Sequence, residues 1–400
     1  MNFKNDFKIL NTDLVYLDSG ATSLTPNSVI EKMNDYYNNY NSNIHRGDYK
    51  ISLKASDEYE SVRNLVKEFI NARSNKEIVF TSGVTESLNM IIYGYFMNHL
   101  KENDEVLITK GEHASNIIPW FDLENKIGIK VKYIPLNDDY TFNIDNLINS
   151  ITDNTKVISI SEITNVIGDV RNVKEITKIC HERGIKVVID AAQSAGHKKI
   201  DVIDTDVDFL GFSAHKMLGP TGVGVLYGKE DLLNEIDYFK KGGGTTISFD
   251  DPSKIVYKEL PYKLEAGTPN IAGVIGLGEA IRYINNIGID NIEKHICDLK
   301  KYLISKVGNM PNLIIYNKDV IGSTFIFNVK NVFAQDTAIY LDKHNIAVRA
   351  GDHCDKKLKD EINISNTVRV SLYFYNTRED IDKLVDALKS NNILEESIGF

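Results

Sequence analysis

A carboxylate and a lysine each follow a short apolar run of the kind that forms a buried strand. Asp190 ends the run Lys186–Asp190, and Lys216 comes shortly after the run Asp208–Ser213. Because the carboxyl ends of parallel strands meet at one edge of a sheet, we expect both side chains in one crevice. Taken singly, such an Asp is more often a helix N-cap and such a Lys a solvated surface charge. The pair is more specific, since the lysine can form a Schiff base and the carboxylate can keep a pyridine nitrogen protonated.

A glycine-bearing turn adds an anion site to this pair. The segment Ser82–Glu86 follows the apolar run Glu77–Thr81 and opens an amphipathic helix. Backbone N–H groups at a helix N-terminus bind anions such as phosphate, although this motif alone is also that of a plain capped helix. With Asp190 and Lys216 following in the expected order, the three motifs together predict pyridoxal phosphate (PLP) as the cofactor.

The three cysteines differ in their sequence context. Cys180 and Cys297 lie on predicted helices and are interpreted as buried apolar residues. Cys354 lies in a glycine-containing loop between Arg349 and Arg369, where nearby cations favour a thiolate. The sequence has no C-x-x-C pair, so we predict neither a disulfide framework nor a metal site.

The elements that must position these residues alternate along the first two thirds of the chain. Strands are predicted at Glu77–Thr81, Glu105–Thr109, Lys130–Pro135, Thr155–Ser161, Lys186–Asp190, Asp208–Ser213 and Gly222–Tyr227. Helices are predicted at Ser56–Ile70, Val84–Asn98, Asn172–Arg183 and Asp231–Tyr238. This alternation predicts an α/β fold with a mostly parallel central sheet covered by helices on both faces.

The last third of the chain has a different pattern, typical of a smaller α+β domain. A long helical stretch, Gly273–Lys306, is interpreted as the hinge, and a last helix from Thr377 to Asn392 carries a capping box formed by Thr377 and Asp380. Strands are predicted at Asn312–Tyr316, Ser323–Asn328, Ile346–Arg349 and Thr367–Ser371. We therefore predict a large domain over residues 15–275 and a small domain over 276–400, with residues 1–14 packed on the small one.

Composition excludes several classes of protein. The chain has 400 residues, 42% hydrophobic and 26% charged, which is typical of a globular protein rather than a disordered one. The formal charge of −10 argues against nucleic acid or an anionic membrane as the main partner. The first ten residues lack the pattern of a targeting segment, and the longest apolar run is far short of the roughly 18 residues that span a bilayer. We therefore expect a cytoplasmic protein.

The motifs together resemble those of the class V, fold-type I PLP-dependent enzymes, and within them the group II, SufS-type cysteine desulfurases. The resemblance extends from YLDSGATS (Tyr16–Ser23) to VRVSLYFYNT (Val368–Thr377). Its most specific pieces are HRGDY (His45–Tyr49), TSGVTESLN (Thr81–Asn89), EHASNIIPW (Glu112–Trp120), DAAQSAGH (Asp190–His197), FSAHKMLGPTGVG (Phe212–Gly224), EAGTPN (Glu265–Asn270) and RAGDHC (Arg349–Cys354).

This resemblance implies a cofactor-binding role for several residues. Lys216 would hold the cofactor aldehyde, Asp190 would pair with the pyridine nitrogen, and Gln193 would reach the phenolic oxygen. His113 would stack on the ring and handle protons. The implied phosphate ligands are Thr85, Ser213 and His215, with Thr268 reaching the phosphate of a partner chain in a homodimer.

The substrate-binding residues are also implied by the resemblance. Arg369 would hold the substrate carboxylate with two parallel hydrogen bonds, which the guanidinium group suits. Asn165 would lie beside that carboxylate, and Arg349 is implied in the same site. His45 and Arg46 would border the site of the partner chain.

Cys354 would be the nucleophile that takes the sulfur as a persulfide, and its surroundings depart from the family pattern. Asp352 replaces a histidine, Asp355 replaces an alanine, and Thr245 follows three glycines where the family has glutamate. An acidic neighbour such as Asp352 disfavours an ionised thiol.

The activity implied is conversion of L-cysteine into L-alanine, with sulfur passed to an acceptor protein of the SufE or SufU kind for iron–sulfur cluster assembly. One alternative is another class V enzyme in which Cys354 is not catalytic: a selenocysteine lyase, a cysteine or cystine lyase, or an aminotransferase. A non-catalytic scaffold is a third possibility, against which the intact Lys216, Asp190, His113 and Arg369 argue.

Overall fold

A seven-stranded sheet forms the centre of the first two thirds of the chain. The computed structural model describes residues 3–237, 240–251, 253–390 and 392–398. In spatial order the strands are Ile78–Thr81, Gly224–Gly228, Phe209–Ser213, Lys186–Asp190, Thr155–Ser161, Glu105–Thr109 and Lys130–Ile134. All run in one direction except Gly224–Gly228, which is antiparallel to both neighbours. The predicted α/β fold with a mostly parallel sheet is therefore confirmed.

Both faces of this sheet are buried. Along Lys186–Asp190, Val187 and Ile189 join one apolar cluster and Val188 joins another, as the alternation of side chains along a strand requires. The helices of this part of the chain are Asn27–Asn39, Lys50–Phe69, Val84–Ile91, Met97–His99, Ile118–Ile127, Ile144–Ser150, Val173–His181, Val202–Thr205 and Glu230–Asn234. Short 3-10 turns occur at Lys4–Asp6, Lys8–Leu10, Asn75–Glu77, Ala114–Asn116, Ala214–Lys216 and Tyr262–Leu264.

The predicted helices Ser56–Ile70 and Val84–Asn98 differ from those in the structure. The helix predicted at Ser56–Ile70 spans Lys50–Phe69, and Ser52 is buried in its first turn. The helix predicted at Val84–Asn98 is interrupted by the π-helical segment Ile92–Phe96. A hydrophobic pattern places a helix but does not reveal such a local change of winding.

The last strand of this sheet along the chain, and the helix after it, also differ slightly from the prediction. The strand predicted to begin at Gly222 begins at Gly224, because Gly222 has a positive φ of 73° that belongs to a turn. The helix predicted at Asp231–Tyr238 spans Glu230–Asn234, and Tyr238 lies outside the described residues.

The last third of the chain begins with two helices rather than one. The stretch predicted as Gly273–Lys306 consists of Ile271–Ile287 and Ile289–Val307, separated by Gly288 at a φ of 88°. A residue with positive φ cannot continue a right-handed helix, so the chain turns there.

A four-stranded antiparallel sheet follows. Its strands, in spatial order, are Leu313–Ile315, Thr324–Val329, Thr367–Ser371 and Arg349–Gly351. The accompanying helices are Ala334–Lys343, Lys356–Ile362, Arg378–Leu388 and Ile393–Ile398. The helix predicted to reach Asn392 thus ends at Leu388, and the predicted capping box of Thr377 and Asp380 is confirmed.

The N-terminal segment contacts the last third of the chain. Val15–Tyr16 forms a short parallel pair with Ile346–Ala347, and the ring of Phe3 lies 5.3 Å from that of Phe374. A second short pair, antiparallel, joins Thr246–Ser248 and Val256–Tyr257. The division into domains at residue 275 stays a prediction.

Among the helices that the structure describes, none is both long and apolar enough to cross a bilayer. Within the same residues, no group of three or more His, Cys, Asp or Glu side chains is placed to hold a metal ion.

Candidate active site

A cavity of about 240 Å³ opens where the carboxyl ends of the central strands meet the C-terminal sheet. Most of the residues that the sequence singled out line it: Thr85, His113, Asn165, Asp190, Gln193, Ser213, His215, Lys216, Arg349 and Arg369. Cys354 is exposed and directly follows His353, which lines the cavity. The structure thus gathers residues that are more than 280 positions apart in the sequence.

The floor of the cavity carries Asp190 at the end of one strand and Lys216 in the turn directly after the neighbouring parallel strand. Asp190 is 3% exposed, and its Oδ1 accepts the N–H of Ala192 at 2.9 Å. Burial raises the pKa of Asp190 to about 6, and burial lowers the pKa of Lys216 to about 8, against the attraction of Asp190. The lysine amine is therefore partly uncharged near neutral pH, as a nucleophile or base requires.

His113 enters the cavity from the turn after strand Glu105–Thr109. Burial lowers its pKa to about 4, and the nearby charge of Lys216 acts in the same direction. Its Nδ1 accepts the backbone N–H of Ser115 at 3.2 Å, which leaves Nε2 as the protonated nitrogen of the neutral ring. The imidazole therefore has a defined orientation in the resting site.

Glu112 directly precedes His113 and was given no role of its own in the sequence analysis. It is fully buried and accepts hydrogen bonds from Arg171 at 2.5 Å and from the N–H and hydroxyl of Ser161 at 2.6 and 2.7 Å. A buried ion pair is stable only when such additional bonds satisfy the carboxylate. The sequence signal available was the pair Glu112-His113 itself, but the arginine partner is remote in sequence.

The predicted anion site begins at the turn before helix Val84–Ile91. The N–H of Val84 donates to Ser213 Oγ at 2.8 Å, which joins the turn to the strand end that precedes Lys216. A side chain on Gly224 would lie 2.4 Å from Gly83 Cα, so glycine is required for the strand to approach the turn.

Hydroxyl groups bind two further side chains at this part of the cavity, those of Thr85 and His215. Thr85 Oγ1 lies 2.8 Å from Ser115 Oγ, and Thr22 Oγ1 lies 3.2 Å from His215 Nδ1. Hydroxyl groups and a helix N-terminus form the usual donor set for a phosphate group. Thr22 was quoted in a motif of the sequence but was given no role.

Arg369 lies on strand Thr367–Ser371 of the C-terminal sheet, which forms another wall of the cavity, and it is 1% exposed. Its Nη1 donates to the carbonyl of Asn165 at 3.0 Å, and its Nη2 donates to Asp18 Oδ1 at 3.1 Å. Its Nε and Asn165 Oδ1 have no hydrogen-bond partner among the described residues. A buried guanidinium group with a free donor is suited to bind a carboxylate.

Asp18 and Gly20 were missed as individual site residues, although the motif YLDSGATS contains both. Gly20 O accepts from Gln193 Nε2 at 2.9 Å, so Gln193 is tied to the wall of the cavity that carries Arg369. A side chain on Gly20 would lie 3.1 Å from Arg369 Cζ. The segment that follows the short strand Val15–Tyr16 therefore forms one wall of the cavity.

Cys354 stands at the rim of the cavity. Arg349 Nη2 lies 3.4 Å from Cys354 Sγ and donates to it. The carbonyl of Cys354 accepts the N–H of Ala114 at 3.0 Å, next to His113. Asp352 Oδ1 accepts the N–H of Cys354 at 3.0 Å, so this carboxylate stabilises the turn while the guanidinium group faces the sulfur.

Three predicted residues lie outside the cavity of their own chain. Thr268, His45 and Arg46 are exposed. Thr268 lines a separate cleft with Thr81, and His45 Nε2 lies 3.1 Å from Glu60 Oε1. Their predicted roles depend on a partner chain and stay predictions.

The chain belongs to the aminotransferase class-V family, whose model matches residues 15–384. Membership of this family implies pyridoxal phosphate as the cofactor. The family predicted from the motifs is therefore confirmed.

Particular relatives are similar over almost the whole chain. A protein of Halalkalibacterium halodurans named "Probable cysteine desulfurase" is 43% identical over 384 residues, which cover 96% of this chain and 94% of the relative. The solved structure of a cysteine desulfurase from Thermococcus onnurineus NA1 matches with a TM-score of 0.92 and 35% identity over 96% of both chains. The cysteine desulfurase CsdA from Escherichia coli matches with a TM-score of 0.92 and 34% identity over 98% of both chains.

Proposed function

We propose that this chain is a PLP-dependent cysteine desulfurase, which converts L-cysteine into L-alanine and retains the sulfur as a persulfide on Cys354. One observation carries the proposal: Arg349 lines the cavity that holds Lys216, Asp190 and Arg369, and the same side chain contacts Cys354 Sγ at 3.4 Å. The thiol is therefore next to a site equipped for amino-acid chemistry.

The residues of the cavity fit PLP and a bound amino acid. Asp190 would pair with the pyridine nitrogen and Gln193 with the phenolic oxygen, while the helix N-terminus, Thr85, Ser213 and His215 would hold the phosphate. The free Nε of Arg369 supports binding of the substrate carboxylate beside Asn165. When bound, PLP supplies an electron sink that stabilises negative charge on the substrate carbon next to the amine.

Each protein group then has a defined task. Lys216, whose pKa is lowered to about 8, holds the cofactor at rest and takes the proton from the α-carbon when substrate is bound. The Cys354 sulfur bonds to the substrate sulfur, and the electron pair of the broken carbon–sulfur bond stays with carbon. That carbon takes the proton that the Cys354 thiol loses, relayed by His113, and becomes the methyl group of alanine once Lys216 has returned the proton to the α-carbon.

The proposal extends to assembly and to the fate of the sulfur. Thr268, His45 and Arg46 are exposed in one chain, which supports a homodimer in which they complete the site of the partner. Because Cys354 is exposed, an acceptor protein of the SufE or SufU kind can reach the persulfide and carry its sulfur toward iron–sulfur cluster assembly. Cytoplasmic localisation belongs to the same proposal.

Replacement of Cys354 by alanine tests the proposal. We expect Cys354→Ala to keep the visible absorbance of the bound cofactor and to lose alanine formation from L-cysteine by at least about 100-fold. Cys297→Ala, which removes a half-buried thiol from helix Ile289–Val307, is the matched control and should retain full activity. If Cys354→Ala forms alanine or releases sulfide at the wild-type rate, the chain is a lyase of class V in which Cys354 is incidental.

A further inference from the structure

A buried chain of polar side chains lies beneath the turn that carries Cys354. Lys359 Nζ donates a hydrogen bond to Thr367 Oγ1, which lies 3.0 Å from His353 Nε2. Lys359 is 3% exposed, and Thr367 and His353 are each 1% exposed. None of the steps in the proposed reaction uses these three side chains, so their burial requires another explanation.

The chemistry of the donors fixes the direction of the bonds. An ammonium group can only donate, so Thr367 Oγ1 accepts from Lys359 and keeps its own proton. Burial lowers the pKa of His353 to about 2, so the ring is neutral and one of its nitrogens is an acceptor. The hydroxyl proton of Thr367 is therefore available to His353 Nε2 at 3.0 Å, and this direction places the ring proton on Nδ1, which has no hydrogen-bond partner among the described residues.

The backbone of the turn needs such support. His353 and Cys354 have positive φ values of 55° and 60°. Left-handed backbone is uncommon for residues with a side chain, and it persists where the surroundings hold it. The carbonyl of His353 accepts from Asn165 Nδ2 at 2.8 Å, and that of Cys354 accepts from the N–H of Ala114 at 3.0 Å. The contact between Thr367 and the ring of His353 is a further anchor of the same turn, and it acts on a side chain of the turn rather than on its backbone.

These anchors also connect the turn to the predicted carboxylate site. Asn165, which binds His353, accepts a hydrogen bond from Arg369 through its own carbonyl at 3.0 Å. Thr367 and Arg369 lie on the same strand, Thr367–Ser371. Arg369, which would hold the substrate, and Thr367, which binds the turn of the thiol, therefore lie on one strand. Asn165 is hydrogen-bonded both to Arg369 and to this turn.

Asp355 caps the helix that carries Lys359. Its Oδ1 accepts the N–H of Leu358 at 3.3 Å and so caps helix Lys356–Ile362, which carries Lys359 one turn later. Asp355 is 1% exposed, and burial raises the pKa of its carboxyl well above the usual range, while burial lowers the pKa of Lys359 to about 8, against the attraction of Asp355. The acidic residue that departs from the family pattern after the cysteine therefore supports the same chain of bonds.

We propose that the Thr367 hydroxyl, supported by Lys359, is a positioning group that holds the turn so that Cys354 Sγ meets the sulfur of a substrate bound at Arg369. The inference rests on the proposed function, because it takes Cys354 as the nucleophile. A displacement of about 1 Å in such a placement can cost up to roughly 100-fold in rate. Removal of the hydroxyl should therefore affect the step that uses the thiol and leave substrate binding unchanged.

The test compares Thr367→Val, which keeps the shape and removes the hydroxyl, with Thr367→Ser, which keeps the hydroxyl. In the holoenzyme we expect Thr367→Val to lower kcat for alanine formation by about tenfold, with KM for L-cysteine nearly unchanged. The rate at which iodoacetamide alkylates Cys354, measured by mass spectrometry, should change as well. Thr367→Ser should restore both quantities toward wild type.

A second pair of variants keeps the test decisive if Thr367→Val does not fold. Lys359→Met removes the donor to Thr367, whereas Lys357→Met makes the same change at an exposed position of the same helix. We expect Lys359→Met to shift kcat and the alkylation rate in the direction of Thr367→Val and Lys357→Met to match wild type.

Two results would overturn the positioning role. One is a Thr367→Val holoenzyme with wild-type kcat and wild-type alkylation of Cys354, and the other is equal loss in Thr367→Val and Thr367→Ser. Wild-type protein that forms no alanine from L-cysteine would instead contradict the proposed function. The alkylation rates do not depend on turnover, so they test the anchoring of the turn even in that case.

Discussion

The floor of the cavity and its rim are built in different ways. On the floor, Asp190 and Ser213 are the last residues of neighbouring strands and Lys216 follows within one turn, so each is held by its own strand. At the rim, Cys354 lies on an exposed turn with left-handed backbone, held by contacts to residues that are remote in sequence. The floor is therefore fixed locally, whereas the rim depends on tertiary contacts.

The two regions also obtain their chemistry differently. Burial changes the floor residues, since it raises the pKa of Asp190 to about 6 and lowers that of Lys216 to about 8. The rim thiol is exposed, and its reactivity depends on what is placed beside it, above all Arg349 at 3.4 Å. Substitutions on the floor should therefore affect the cofactor, and substitutions at the rim should affect only the transfer of sulfur.

The largest effect is expected on the floor. Lys216→Ala should abolish turnover, by roughly 10³-fold or more, because it removes both the attachment of the cofactor and the base. Borohydride treatment of the wild-type holoenzyme followed by peptide mapping should place the cofactor label on Lys216. A label on another lysine would contradict the assignment of Lys216 as the residue that holds the cofactor. The exposed Lys199→Ala variant is the control and should have wild-type activity.

Arg369 lies between the two regions, and its replacement should affect substrate and not cofactor. Arg369→Lys loses the fork of parallel donors, at an expected cost of about 1–3 kcal/mol. This corresponds to a decrease of roughly 5- to 150-fold in kcat/KM for L-cysteine, mainly through KM. Steady-state kinetics together with the cofactor absorbance measure it, with the exposed Arg183→Lys as control. Unchanged kinetics in Arg369→Lys would contradict the carboxylate site.

The effect with the smallest consequence for activity is expected in the stability of the cofactor-free protein. The pKa of Asp190 is raised from 3.8 to about 6 by burial, so the folded protein binds this proton more tightly than the unfolded chain does. Its contribution to stability is therefore lost as pH rises from about 4 to about 6, by up to about 3 kcal/mol. Asp190→Asn should remove that loss, while activity of the loaded enzyme falls.

Urea unfolding of both cofactor-free proteins measures this effect. The free energy of unfolding of Asp190→Asn should exceed that of wild type at pH 8, and the difference should be small at pH 4. Equal stabilities at pH 8 would show that the floor does not hold a destabilised carboxylate.

Much of the floor could be predicted from the sequence because its residues are adjacent to strands. The bounds of Glu105–Thr109, Thr155–Ser161 and Lys186–Asp190 agree with the structure, since buried strands of a parallel sheet are continuous apolar runs. The edge at which parallel strands end then indicates where Asp190 and Lys216 meet. The antiparallel direction of Gly224–Gly228 has no such signal in the apolar pattern.

The supports of the site could not be predicted because their partners are distant along the chain. Glu112 binds Arg171, Arg369 binds Asp18, and Thr367 binds both His353 and Lys359. Each is a buried polar residue, and burial of a charge is recognisable only when the group that pairs with it is known.

The sequence by itself determined the class of fold, the strand ends that carry the chemistry and the family of the chain, because apolar periodicity and short motifs are local properties. Only the tertiary structure decided how the thiol is presented. The turn of Cys354 takes its position from Asn165, Ala114 and Thr367, which come from three separate segments. Hydrogen bonds between remote segments form only after the sheets have packed, so no local pattern of residues can specify them.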